Sequence, residues 1–401
     1  STTTSTSATQ RAPSRAHEQE PHLPSEVLEE IFNRLSLKDN IRASVVCKSW
    51  QSPAISVRKA NTPPWLMSYP KSGDLFEFYN PTERKNYYLD LPEMRGTRIC
   101  YVKDSWLLLY KPRTLRLFFF CPYTLEKIKM PKLQLSDHIV AFSAPPTNPD
   151  CTLCMVRHVE REAVAISTCR MGENQWTTLT YECDPPFHSS MWNKLVFCDG
   201  IFYCMSLTGL LGFYDPIERT WNISTVPPPH CTDCLHLENR WRSKFMAEYE
   251  GDIYVTCTCA LAEPFVYKLD WVKGVWDELV SLDGRTIFAN YVSSCVRSEL
   301  VGKLVGSVYF PKVLFYGKRC ITYRPEGDRY SPKDDVYDWT EMEGFRSAWI
   351  EAPKNVDKFL EGAGCKEETT VIEDDDEDET LREDKSSETE VDAATMPIRE
   401  A

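Results

Sequence analysis

The stretch LLGFYDPIERTWNISTVPPP (Leu210–Pro229) contains the pattern that decides the fold. A run of apolar and aromatic residues leads to Asp215, a polar turn follows, and Trp221 begins a second run six residues after the aspartate. Short apolar runs of this kind, separated by turn-forming residues, predict antiparallel strands joined by a tight turn. The stretch therefore predicts a β-hairpin with aromatic side chains on both strands.

The same design recurs along the chain. LFEFYNPTERKNYYLDLP begins at Leu75, RLFFFCPYTLEKIKMP at Arg116 and PFVYKLDWVKGVWDEL at Pro264. Ser167–Leu179 fits the same role, and Asp334–Gly344 is the candidate for a last copy. The turns of these copies fall at Asn80, Cys121, Arg170, Asp215, Asp270 and Asp338, which are 41, 49, 45, 55 and 68 residues apart. The early spacings suit a four-stranded propeller blade of ~40–50 residues, and the last one implies an insertion or a missed copy.

We therefore predict an all-β propeller over residues 63–350, with six blades as the first choice and five or seven as alternatives. Three further segments, each an apolar run followed by a Gly turn and an aromatic strand, predict inner hairpins: Leu195–Ser206, Phe245–Thr258 and Glu299–Pro311. A β-sandwich of unrelated hairpins is the alternative fold.

A different pattern precedes these strands, in HLPSEVLEEIFNRLSLKDNIRASVVCKSW (His22–Trp50). Its first apolar residues recur at helical spacing, and Ser36-x-x-Asp39 is typical of a capping box that opens a second helix. Three short helices in about thirty residues are too few to bury all of these apolar side chains among themselves. Part of this surface is therefore expected to bind a partner.

This helical segment resembles an F-box. The ordered matches to the family pattern are Leu23, Pro24, Leu28, Ile31, Leu35, Asp39, Val46, Cys47 and Trp50. With the repeats that follow, the chain resembles the plant F-box proteins that carry a degenerate kelch-like propeller. The kelch double glycine is absent, and single glycines such as Gly200 and Gly251 stand in its place.

The resemblance implies a non-catalytic substrate receptor of an SCF ubiquitin ligase, in the cytoplasm, the nucleus or both. The F-box would bind a SKP-type adaptor, and through it a cullin, by Leu23, Pro24, Leu28, Ile31, Leu35 and Asp39. Val46, Cys47 and Trp50 would form the F-box core. The propeller would bind an unknown target protein, through residues that the sequence does not identify. The alternative is a propeller-based binding or inhibitory protein that acts without ligase assembly.

Charge is concentrated at one end of the 401 residues. The net charge is −13, and residues 366–392 carry −11 of it. Such a concentration of charge predicts an acidic disordered tail (351–401). The predicted fold class of the chain is α+β multidomain. Before the tail come a disordered leader (1–20), an F-box (21–60) and the propeller (63–350). No concentrated basic patch is evident, so no nucleic-acid partner is expected. No apolar run has the length of a membrane span or a signal-peptide core, so no membrane partner is expected.

Sixteen cysteines include two C-x-x-C pairs, Cys151/Cys154 and Cys231/Cys234, with His158, His230 and His236 nearby. Such pairs can hold zinc, but these two are far apart in the chain, and reduced buried thiols are the preferred interpretation. We expect no metal and no cofactor. No phosphate-binding glycine loop or Gly-x-Ser-x-Gly motif is present, and a glycosidase with two carboxylates is the enzymatic alternative.

Overall fold

The structure is a computed structural model that describes most of the chain. The described residues are 23–32, 37–57, 62–70, 73–136, 138–160, 162–188, 195–229, 243–259, 262–298, 300, 302–311, 320–331, 346–353, 359 and 366–369.

Three short helices stand at the beginning of the described chain: α1 (Ser25–Phe32), α2 (Leu37–Ser44) and α3 (Lys48–Ser56). Their shared core contains the buried side chains of Leu28, Phe32 and Ala54. The ring of Trp50 packs edge-on against Phe32, with 5.4 Å between centroids. The Asn40 amide donates a hydrogen bond to the Ala54 carbonyl at 3.0 Å, which ties α2 to α3.

Six sheets follow, and each is one blade. The first three consist of β25 (Ser347–Ile350), β1 (Trp65–Ser68), β2 (Leu75–Asn80), β3 (Lys85–Asp90) and β26 (Lys366–Thr369) in blade one; β4 (Arg98–Lys103), β5 (Trp106–Lys111), β6 (Arg116–Phe120) and β7 (Lys127–Lys129) in blade two; and β8 (Ile139–Phe142), β9 (Thr152–Glu160), β10 (Ala163–Arg170) and β11 (Thr177–Glu182) in blade three.

The other three consist of β12 (Leu195–Cys198), β13 (Ile201–Met205), β14 (Leu211–Asp215) and β15 (Thr220–Ile223) in blade four; β16 (Ser243–Tyr249), β17 (Asp252–Cys259), β18 (Ala262–Asp270) and β19 (Val275–Glu278) in blade five; and β21 (Cys295–Arg297), β20 (Thr286–Phe288), β22 (Val308–Pro311), β23 (Cys320–Arg324) and β24 (Arg329–Ser331) in blade six. Short 3₁₀ helices span Pro92–Met94, Pro112–Thr114 and Gly302–Leu304.

The blades form a ring around a central channel. Strand β25 contacts β4, and the contacts continue from β4 to β8, β8 to β12, β12 to β16 and β16 to β21. Apolar clusters fill the spaces between neighbouring blades, for example between blades six and one, where Phe288 and Trp349 pack with 5.0 Å between ring centroids. The six-bladed prediction is confirmed, and the sandwich alternative is wrong.

The recurring turn has a simple physical basis. The Asp215 carboxylate accepts hydrogen bonds from the backbone N–H groups of Ile217 (2.8 Å) and Glu218 (3.0 Å). Asp270 does the same in blade five, and Asn80 uses its amide oxygen in blade one. A short acceptor side chain at this position replaces the missing ladder partners and holds the chain in a tight turn. The repeat seen in the sequence is therefore the turn between the third and fourth strands of a blade.

The sixth turn is not where the repeat pattern placed it. The predicted copy at Asp334–Gly344 lies outside the described residues. The structure forms the equivalent turn at residues 325–328, directly after Arg324, and Arg324 lies 54 residues after Asp270. There the Tyr323 hydroxyl hydrogen-bonds the Asp328 carboxylate. The sequence pattern placed the turn downstream at Asp338 instead, because Arg324 stands where blades four and five have Asp215 and Asp270.

Blade six differs from the others in a second way. The hairpin predicted over Glu299–Pro311 is wrong in its first half, because Gly302–Leu304 is a 3₁₀ helix and β21 is the innermost strand. Between β21 and β22 lies β20, which pairs in parallel with β22. The turn from β20 to β21 is held by buried Asn290, whose amide oxygen accepts from the Val292 N–H at 2.7 Å.

Chain segments from both ends of the propeller meet in blade one. Strand β25 pairs antiparallel with β1, so that Trp65 faces Ile350 and Ser68 faces Ser347. Strand β26 pairs with the outer strand β3, and Phe359 is buried against Trp65, with 6.1 Å between ring centroids. Phe359 and β26 lie within the segment predicted as tail, so this part of it packs on the propeller. The predicted domain boundaries stay a prediction.

Candidate protein-interaction surfaces

Helix α1 has two apolar faces. Leu28 and Phe32 are buried at 2% exposure, four residues apart on the inner face. Val27 and Ile31, also four residues apart, are each 44% exposed on the other face, and Leu23 is 48% exposed just before the helix. Because residues four apart in an α-helix lie above one another, Val27 and Ile31 form one continuous surface. We call Leu23, Val27 and Ile31 the α1 apolar face.

The helix begins in the manner expected for its sequence. Pro24 is exposed, and its carbonyl accepts hydrogen bonds from the backbone N–H groups of Val27 and Leu28, both at 3.1 Å. The proline thus stands at the start of the helix, where its missing N–H costs nothing. Leu23 consequently remains part of the α1 apolar face, and Pro24 lies next to it outside the core.

Two sequence assignments in this segment are corrected. Leu28 belongs to the helical core and not to the outer surface, because α1 turns it toward Ala54. Val46 is 65% exposed and not part of the core, because it lies in the turn between α2 and α3. The exposed residues Val27 and Val45 were not among the predicted adaptor-binding residues. Helical spacing groups residues on a face but does not say which face is covered.

The other predicted residues divide as follows. Ile31 is exposed as expected, and Trp50 packs on the core residue Phe32. Cys47 is half-buried, with its sulfur 3.1 Å from the Ser49 hydroxyl. Leu35 and the side chain of Asp39 lie outside the described residues, although the backbone of Asp39 belongs to α2.

The central channel contains a cavity of about 130 Å³. Its lining includes charged or polar side chains from four blades: Lys103, Asp104, Glu248, Cys295, Arg297 and Glu351. Most of these groups bind other parts of the protein. The Arg297 guanidinium forms an ion pair with Glu351, Lys103 donates to the Ser143 carbonyl at 3.0 Å, and Glu248 accepts from the Gly251 N–H at 3.2 Å. These contacts join neighbouring blades, six to one and two to three, and Glu248 binds within its own blade.

The first C-x-x-C pair is buried. Burial raises the pKa of the Cys154 thiol well above its ordinary value and also raises the pKa of Cys151. Zinc binds the thiolate, so a raised pKa disfavours binding. Cys231, Cys234, His230 and His236 lie outside the described residues. Within the described ranges, no group of three or more His, Cys, Asp or Glu side chains is placed to hold a metal ion.

Blade two carries a basic surface. The prediction that the chain has no concentrated basic patch is therefore corrected. The members of this surface lie at the start of β4, from the end of β5 to the start of β6, and at or just after the end of β7: Arg98, Lys111, Arg113, Arg116, Lys129 and Lys132. We call them the blade-two basic edge. The strand register brings them together, since Arg98 faces Tyr110, Lys111 faces Arg116 and Lys129 faces Phe118.

In the part of the chain that the structure covers, no helix has the length and apolar character needed to cross a membrane.

Comparison with known proteins agrees with both parts of the structure. Residues 21–52 match the F-box domain family, and residues 78–337 match the KIB1-4 beta-propeller family. The Arabidopsis thaliana F-box/kelch-repeat protein At1g57790 is 36% identical over 338 residues, which cover 83% of this chain and 94% of that protein. The Arabidopsis thaliana F-box protein At4g00893 is 37% identical over 347 residues, which cover 84% and 88%.

A further Arabidopsis thaliana relative, F-box/kelch-repeat protein At3g18720, is 35% identical over 294 residues, covering 69% of this chain and 76% of that protein. The propeller match alone spans more than half of the 401 residues, and it runs from β2 of blade one to beyond β24 of blade six. The chain therefore belongs to the F-box proteins that carry a KIB1-4 beta-propeller.

Proposed function

We propose that this protein is the substrate-recognition subunit of an SCF-type ubiquitin ligase. The observation that carries the proposal is the α1 apolar face, which leaves Leu23, Val27 and Ile31 exposed on an F-box whose own core is already filled by Leu28 and Phe32. An apolar helix face of this kind is suited to a groove in a helical partner, where a few anchors supply most of the binding energy. The expected partner is a SKP-type adaptor, and through it a cullin.

The propeller would hold the target protein. The described charged groups of its channel mostly make contacts within the protein, an ion pair or backbone hydrogen bonds, which supports a role of the propeller as a scaffold for binding. Ubiquitin transfer would then depend on proximity, because holding a target lysine beside a charged conjugating enzyme raises its effective concentration. The site of action that fits this role is the cytoplasm, the nucleus or both.

Binding to a purified SKP-type adaptor tests the proposal. We would titrate the full chain with the adaptor by calorimetry, beside a Leu23→Ala/Ile31→Ala variant. Both side chains are half exposed, so their loss leaves the helical core intact. We expect a 1:1 complex for the wild type and binding at least ~30-fold weaker for the variant, since two anchors together are worth about 2 kcal/mol or more.

Ile217→Ala/Val272→Ala is the matched control, because these apolar residues are 82% and 98% exposed on the propeller. The control should bind the adaptor like the wild type. If neither the wild type nor the control binds while both remain folded, the ligase assignment is wrong. The protein would then act through its propeller alone, as a binding or inhibitory protein.

A further inference from the structure

The six side chains of the blade-two basic edge have no carboxylate partner among the described residues. Five of them are exposed, and Lys111 is half-buried. Three other described lysines of the propeller form ion pairs: Lys127 with Glu93, Lys268 with Asp252 at 2.6 Å, and Lys273 with Asp270 at 2.9 Å. A cluster of like charges repels itself unless an anion covers it. The edge is therefore suited to an acidic ligand.

The two ends of blade two differ in charge. Residues 98–132 include eight basic residues and two acidic ones. Both acids, Asp104 and Glu126, lie in the turns at the far end of the blade, between β4 and β5 and between β6 and β7. The six unpaired cations lie at the opposite end, because antiparallel strands place the start of β4 beside the end of β5. Within residues 98–132, no acidic residue lies at this end of the blade.

The chain contains a complementary segment. Glu373–Glu390 has eleven acidic and two basic residues, and seven of the acids are consecutive. It begins four residues after β26, which is paired with β3 on the neighbouring blade. Blades one and two are joined at their outer side by the ion pair of Lys127 with Glu93. The acidic segment is therefore tethered one blade away from the basic edge.

The tether is long enough. Strand β26 runs antiparallel to β3 and ends beside Lys85, at the end of the blade remote from the basic edge. Crossing the height of a strand requires roughly 20 Å. The 21 residues from Thr369 to Glu390 span up to ~70 Å when extended at ~3.3–3.6 Å per residue. The segment can cross the outer face of the two blades and still place several carboxylates on the edge.

We propose that the blade-two basic edge binds the chain's own acidic segment, Glu373–Glu390. One exposed ion pair contributes little to binding, so the contact relies on several pairs and on the tether. Tethering gives an effective concentration on the order of millimolar, which favours this segment over a free acidic peptide. The segment then covers the edge against other anionic partners. The contact weakens as salt rises, because exposed charges are screened over about 8–10 Å near physiological ionic strength.

Zero-length carbodiimide cross-linking of the full chain tests this contact directly. We expect amide links within one molecule from Lys111, Lys129 or Lys132 to carboxylates of Glu373–Glu390, reduced at least fivefold in 0.5 M salt. Arg113→Glu/Arg116→Glu should reduce them to a similar extent. Arg219→Glu/Lys273→Glu makes the same change of charge on blades four and five and should leave them unchanged. Links that form only between molecules, or equal loss in both variants, would overturn the proposal.

A second measurement does not depend on the stability of those variants. A labelled peptide with the sequence of residues 373–390 is titrated, by fluorescence anisotropy, into the full chain and into a chain in which Glu373–Glu379 are replaced by the corresponding amides. We expect the peptide to bind the amide variant at least ~10-fold more tightly, because its own segment no longer occupies the edge. Equal affinity for the two chains, or no binding to either, would show that the acidic segment does not cover this surface.

Discussion

Gly212 shows how a single position can determine the packing between strands. It lies in β14, and a Cβ atom placed on it would come within 2.7 Å of Trp221 Cζ2 and 2.9 Å of Phe187 Cε2. The two aromatic rings meet edge-on, with 5.0 Å between their centroids. Glycine is therefore required here for space, because any side chain would displace a buried tryptophan.

We expect Gly212→Ala to lower the free energy of unfolding by about 1–3 kcal/mol, the usual cost of overpacking a filled core. Urea denaturation followed by tryptophan fluorescence measures it. A smaller ring in Trp221→Phe should leave room for the added methyl group, so Gly212→Ala should cost less in that background than in the wild type. An equal cost in both backgrounds would show that Trp221 is not the limiting contact.

Leu28 and Leu23 are both leucines of the F-box pattern, and the structure separates their roles. Leu28→Ala should destabilise the three helices by about 2–5 kcal/mol, because it removes a fully buried side chain. Leu23→Ala should leave the helices folded, since this side chain is half exposed. Hydrogen exchange of the α1 and α3 amides distinguishes the two. Equal protection in both variants would contradict the assignment of Leu28 to the core.

At the scale of elements, blade one depends on segments that are distant in sequence. Phe359 is buried against Trp65, Phe78 and Tyr123, with ring centroids 5.2–6.1 Å apart. Strand β26 follows it and adds a fifth strand outside β3. The aromatic contact and the strand pairing support each other, because Phe359 holds the chain near the edge on which β26 forms.

We therefore expect Phe359→Ala to lower the free energy of unfolding by about 3–5 kcal/mol. The same change should increase hydrogen exchange in β26 and β3, which mass spectrometry of the exchanged peptides would detect. Val272→Ala, at a position that is 98% exposed, serves as the control and should change stability by less than about 0.5 kcal/mol. If the two variants are equally stable, Phe359 is not part of the core.

At the scale of the whole molecule, the propeller buries many neutral thiols. Burial, with the nearby carboxylates of Asp199 and Glu248, raises the pKa of Cys198 to about 12. Burial, with Glu173, raises the pKa of Cys169 to about 11. Both thiols ionise near 9 in the unfolded chain, so the folded state binds more protons above that pH. Their contribution to stability is complete below about pH 9 and is lost as pH rises through about 11–12.

We expect the urea midpoint to fall between pH 8 and pH 10.5 for this reason. Because lysines also titrate in this range, the comparison is made with Cys169→Ala/Cys198→Ala. This variant is less stable at pH 8 but should lose less stability on going to pH 10.5. A wild type and variant with the same pH dependence would exclude the thiols as its cause.

The sequence by itself determined the features that depend on neighbouring residues. Turns such as Asp215 to Trp221 are made by a side chain and the backbone two or three residues ahead, so their repeat shows the blades directly. The ordered F-box pattern is likewise local. From these patterns alone the helical segment, the propeller and its six blades could be predicted.

Only the tertiary structure decided which surfaces are covered. It placed Leu28 inside and Val46 outside, closed the ring through β25, moved the sixth turn to residues 325–328, and brought Arg98 and Lys132 to one edge. The physical reason is that burial and charge clustering depend on contacts between residues far apart in the chain. A periodic pattern records which residues share a face, but the face that is covered depends on the neighbouring strand or helix.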